Sequence, residues 1–147
     1  MKRCLSLLLA TISMLVFLTA CGKEEPYQGS FRMSLQCETE TDIKEVVFHL
    51  ATDDGKIFLG GGFTAPYRTT ADMVPLSLGE TYHVNISTLD YLTGIANQPN
   101  FHGIWAIFEI NQKECGRVWI SEEQLQGGTV QTMLMPDGHV QELPSAA

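Results

Sequence analysis

The sequence beyond residue 30 predicts an all-β fold, an antiparallel β-sandwich of seven or eight short strands. Three observations carry that expectation. Apolar and polar residues alternate with period two in almost every segment, which is the signature of a half-buried strand. Turn clusters such as Asp53-Asp54-Gly55, Leu78-Gly79-Glu80 and Pro136-Asp137-Gly138 divide the segments at short spacing. Stretches with a helical period are nearly missing. A small barrel is the alternative closure of the same strands.

The elements follow in order. Phe31, Met33, Leu35 and Cys37 share one face of a first strand, with Arg32, Ser34 and Gln36 opposite. Val46 to Thr52 is a second strand, and Asp53-Asp54-Gly55 turns it into Lys56 to Leu59 as a hairpin that Gly60-Gly61-Gly62 is expected to stop. Ala71 to Leu76 reads as strand, with Pro75 marking an edge or bulge. Thr81 to Ser87 alternates Tyr82, Val84 and Ile86 with Thr81, His83 and Asn85. Leu89 to Gly103 is the one long irregular stretch. Ile104 to Ile110 is the most apolar strand and belongs inside a sheet, and Asn111 to Glu114 turns it into Cys115 to Ile120. Ser121 and Gln124 have capping-box spacing, which predicts a helical turn. Thr129 to Met135 and Val140 to Leu143 close the fold as a hairpin.

Charge limits the partners. The 147 residues carry 17 acidic side chains against nine basic ones. Nucleic acid is therefore an unsuitable partner, because phosphate contacts need clustered Lys and Arg. The N-terminus supplies an address instead. Met1-Lys2-Arg3 is a positive start and Leu5 to Phe17 an almost unbroken apolar core, the pattern of a secretory signal peptide. Such a stretch is shorter than the roughly 20 residues that span a bilayer.

Leu18-Thr19-Ala20-Cys21 resembles the lipobox of bacterial lipoproteins, whose cysteine is acylated on sulfur and becomes the new N-terminus. The resemblance implies a lipoprotein precursor with a signal peptide over residues 1–20, a lipidated tether over 21–30 and a single β-sandwich domain over 31–147. It also implies fatty acylation (palmitate) at Cys21 and an outer-membrane anchor. Two or more acyl chains are what stable anchoring takes. Lys23-Glu24-Glu25 resembles the charged tag that sends some lipoproteins to the cell surface, and it equally suits a solvated linker. Either membrane face of the cell envelope remains open. Loss of Lys2 and Arg3 leaves seven basic residues against 17 acidic ones, a net charge of −10. The strand count, length and anchor are loosely similar to small transthyretin-like lipoproteins of secretion assemblies.

Cys4 leaves with the signal and Cys21 is committed to lipid, so Cys37 and Cys115 remain. In an oxidising compartment one disulfide is the simplest expectation, with two buried thiols as the alternative. Neither cysteine belongs to a metal-binding pair, so no metal and no cofactor are expected.

Catalytic motifs are missing as well. The chain has no nucleophile elbow, phosphate loop, HExxH or dinucleotide fingerprint. The Gly60-Gly61-Gly62 run lacks the Lys and Ser/Thr of a phosphate cradle, and His49, His83, His102 and His139 are scattered. The expectation is a non-catalytic protein that binds a protein or glycan partner through loops at one end. Its candidate contacts combine aromatic and hydrogen-bonding side chains: Tyr67 and Arg68 in one stretch, Tyr91, Phe101 and His102 in the other. A structural accessory of a secretion or conjugation-type assembly is the second reading. A hydrolase or inhibitor is the third.

Overall fold

A computed structural model describes residues 29–65, 74–87, 89–96 and 98–144, with backbone only at 89–91, and these described residues form eight strands and two short helices. The strands are β1 (Ser30–Cys37), β2 (Glu45–Ala51), β3 (Ile57–Thr64), β4 (Thr81–Ser87), β5 (Gly103–Ile110), β6 (Lys113–Ser121), β7 (Gln126–Leu134) and β8 (Val140–Glu142). The helices are α1 (Leu89–Ala96) and α2 (Glu122–Leu125). The strands form two four-stranded sheets, ordered β4-β1-β7-β8 and β3-β2-β5-β6. This is the all-β sandwich that the alternation predicts, with β5 inside its sheet. One pair departs from the antiparallel rule: β1 runs parallel to β7.

The core lies between the sheets and is built by the alternation itself. Phe31, Met33, Leu35 and Cys37 of β1 are all buried, facing Val46, Phe48 and Leu50 of β2 and Ile104, Ala106 and Phe108 of β5. Phe48 lies 5.6 Å from Phe63 and 6.4 Å from Phe108, ring centre to ring centre. Between the parallel strands the Thr132 hydroxyl, fully buried, donates to the Ser34 carbonyl at 2.8 Å. Burial demands such a partner.

Four expectations need correction, the first being the irregular stretch expected over Leu89 to Gly103, where Leu89–Ala96 form α1 around the buried Leu92. Gly60-Gly61-Gly62 does not end the hairpin, because β3 continues through it to Thr64. Gly61 pairs with Phe48, and a Cβ there would lie 2.6 Å from the Phe48 ring, so the absent side chain makes room for the core's largest residues. The described part of the expected strand at 71–76, Val74 to Leu76, is irregular; Leu76 is buried and its N–H donates to the Ile43 carbonyl. The cystine between Cys37 and Cys115 is not formed, and both are free thiols. Gly116, Val118 and Ile120 are the buried residues of β6, so alternation puts Cys115 off the face that Cys37 fills. The register also slips where Phe108 meets Gly116 and Glu109 meets Glu114, leaving Cys115 unpaired on the ladder. Burial pushes the Cys37 thiol up, and the Cys115 thiol to about 11.

Strand directions define two ends. Ser30 pairs with Ser87 and with Gln126, and α2 carries Ser121 of one sheet directly into Gln126 of the other. Gly103 pairs with Ser121, and Ala51 with Trp105. The start of β1, the β2–β3 turn and the segment before β5 therefore share one end, here the near end. The β1–β2 loop, the Asn111-Gln112 turn and the β7–β8 turn occupy the far end. Among the described residues no helix is long and apolar enough to cross a membrane.

Candidate binding cleft

A cleft of about 340 Å3 opens at the near end, between the β2–β3 turn and the segment that leads from α1 into β5. Its polar lining is Asp53, Asp54 and Lys56 from the turn and Gln98 and Asn100 from the segment, with Phe101 also lining it. The volume is at the lower bound of the roughly 300 to 1,000 Å3 typical of small-molecule sites.

Local hydrogen bonding holds the first wall. Gly55 N–H donates to the Thr52 carbonyl at 2.8 Å and Thr52 N–H to the Lys56 carbonyl at 3.1 Å, with Gly55 at φ +80° where a side chain would be strained. The Asp54 carboxylate accepts from the Thr52 hydroxyl and from Lys56 N–H. The Thr52 bond first, then the Lys56 N–H and its charge, hold that carboxyl below the usual range. Asp54 is thus a fixed acceptor at neutral pH. Its neighbour Asp53 accepts from Trp105 Nε1 at 2.9 Å, which joins the turn to the outer face of β5.

The second wall is fastened as firmly. Gln98 N–H donates to the Ile95 carbonyl at 3.1 Å, and Phe101 N–H to the Gln98 carbonyl at 3.0 Å. Phe101 packs half-buried against the core. Glu122 N–H donates to the His102 carbonyl at 3.1 Å, so the first residue of α2 holds the segment in place. Gly103 is there because nothing larger fits: a Cβ would lie 2.2 Å from the Ile120 carbonyl oxygen and 2.8 Å from the Trp119 ring.

Beside the cleft, Trp105 and Trp119 form a cross-strand pair, centres 5.0 Å apart at 65°. Arg117 stands 5.7 Å over the Trp105 ring and reaches Glu114 at 3.1 Å. Farther along the same face His49 Nε2 meets Glu109 Oε2 at 3.3 Å.

Of the residues read from the sequence as partner contacts, Phe101 lines the cleft. His102 is exposed beside it and contributes its backbone rather than a lining side chain. Tyr67, Arg68 and the Tyr91 side chain lie outside the described residues, as does Cys21. The reading missed Asp53, Asp54 and Lys56 as a wall. Their turn was legible, but only the strand order brings it beside residue 100. Among the described residues no group of three or more His, Cys, Asp or Glu side chains could hold a metal ion. Compared with protein-family models, curated proteins and solved structures, the chain matches none of them.

Proposed function

We propose that the protein is a lipid-anchored, non-catalytic lipoprotein of the bacterial outer membrane, and that its sandwich binds a protein or glycan partner through the near-end cleft. The observation that carries the reading is the preorganised cleft. Two walls fixed by backbone hydrogen bonds frame it, and one of them presents the Gln98 and Asn100 amides, which make no side-chain hydrogen bond among the described residues. Rigid loops with unengaged polar side chains bind at low ordering cost. The lipobox resemblance at residues 18–21 supports the anchor, and Asp54, held ionised, is unsuited to general-acid work. The alternative, an accessory of a secretion or conjugation-type assembly, draws on the four-plus-four sheets, which suit the resemblance to transthyretin-like lipoproteins.

The test is a photo-crosslinking residue placed at Asn100 in the native envelope, with Lys113 at the far end as control. A discrete crosslinked species at position 100 and none at 113 is expected. Crosslinks at 113 alone would move the contact to the far end and overturn the assignment.

A further inference from the structure

We infer that the near-end cleft is a saccharide subsite, taking one or two rings of an uncharged glycan. This rests on the reading of the cleft as the binding site and names the chemistry of what it binds.

A sugar ring has apolar C–H faces and a rim of hydroxyls, each of which both donates and accepts. The cleft answers both features. Phe101 adds aromatic surface to the lining, and Trp105, beside the cleft and bonded to Asp53, carries aromatic surface onto the outer face of β5. The opposing walls supply donors and acceptors together: Gln98 and Asn100 offer both, Asp54 is a fixed acceptor, and Lys56 is a donor. A hydroxyl can exchange roles to suit any of them, whereas a purely apolar ligand would bury these groups unpaired.

Size and charge narrow the choice. A space of about 340 Å3 admits a ring or two, while a specific protein contact covers about 800 Å2 on each partner. Among the described lining residues Asp53 and Asp54 stand against Lys56, Arg117 over the Trp105 ring is paired with Glu114, and α2, tied to His102, begins with Glu122 and Glu123. Uronic acids and phosphorylated sugars would meet that field unfavourably, so a glycan without acidic groups fits, and the neutral class is the one proposed. Glycolipid headgroups and free oligosaccharides present the same chemistry, and the two arms of the test separate them.

The test follows tryptophan fluorescence of the full-length lipidated protein in neutral-lipid vesicles. One arm adds maltotriose, cellotriose or chitotriose up to about 10 mM, above the millimolar dissociation constants of weak sites. The other places diglucosyl-diacylglycerol in the vesicle. Saturable change in either arm is expected, with binding weakened about fivefold or more by Asn100→Ala and by Gln98→Ala, and with trigalacturonate inert. Both variants replace exposed loop side chains and leave the core intact. No saturable change with any neutral probe would overturn the inference, as would equal binding of trigalacturonate or indifference to both variants. A protein crosslinked at position 100 while every sugar fails would overturn the glycan and leave the partner-binding reading standing. Silence in both experiments would remove both.

Discussion

Cys115 shows how local register decides a residue's chemistry. Its thiol lies half-buried at the core margin, and burial raises its pKa from an ordinary 9.0 to about 11, with the Glu109 and Glu114 charges adding to the rise. The thiolate is the nucleophile, so at pH 8 the Cys115 peptide should alkylate with iodoacetamide about 100-fold more slowly in the native protein than after denaturation. Mass spectrometry reads both states, and equal rates would contradict the burial. In the denatured, unreduced protein Cys37 and Cys115 should both label; protection of both would restore the disulfide. The linkage has a definite sign. The folded thiol holds its proton longer than the unfolded one, so this contribution to stability is complete below about pH 9 and is lost as pH rises towards 11. Cys37 acts in the same direction, pushed up by burial on the core face of β1.

Glycines set what the elements can do, and two of them give opposite expectations. Gly116 lies where β6 passes β8, and a Cβ there would fall 2.0 Å from the Val140 carbonyl oxygen. Backbone cannot swing aside as a side chain can, so Gly116→Ala should cost about 1 to 3 kcal/mol. Gly94 lies exposed in α1 with nothing within 4 Å of its Cβ position, so Gly94→Ala should stabilise by up to about 1 kcal/mol. Thermal unfolding of the pair should shift in opposite directions, and a fall for both would mean that α1 is not helical in solution. Much at this scale was legible in the sequence. The inward face of β1, the span of β4, the capping box at Ser121 and the turn at Pro136-Asp137-Gly138 all follow from period and turn chemistry. Less legible was α1. Leu89, Leu92 and Ala96 do recur at helical spacing, with Leu92 fully buried, but eight residues among turn formers leave a weak period. Gly60-Gly61-Gly62 misled for a different reason. Local propensity reads a break there, whereas packing against Phe48 requires the missing side chain, and that partner is visible only once β2 and β3 are paired.

Over the whole molecule, topology decides which end of the sandwich the proposed lipid at Cys21 would hold towards a membrane. The cleft's turn and segment lie at the end where β1 begins, and the proposed lipid is attached just upstream of β1. Nine residues from Cys21 to Gly29 reach at most about 30 Å when extended, so the proposed lipid would keep the near end within that distance of the bilayer surface. In an upright domain the far end would stand higher by the length of an eight-residue strand such as β5, about 25 Å. The net charge of −10 that the proposed cleavage after Ala20 would leave opposes contact with anionic headgroups. A donor fluorophore at position 56, in the near-end turn, should therefore transfer energy more efficiently to acceptor-labelled lipid than one at position 113, beside the far-end turn. Cys21→Ala should abolish both signals by releasing the protein from the vesicles. Equal transfer from the two positions would mean that the domain tumbles freely on its tether, and the cleft would then sample ligands at any height. A stronger signal from position 113 would invert the molecule and give the bilayer-facing role to the β1–β2 loop.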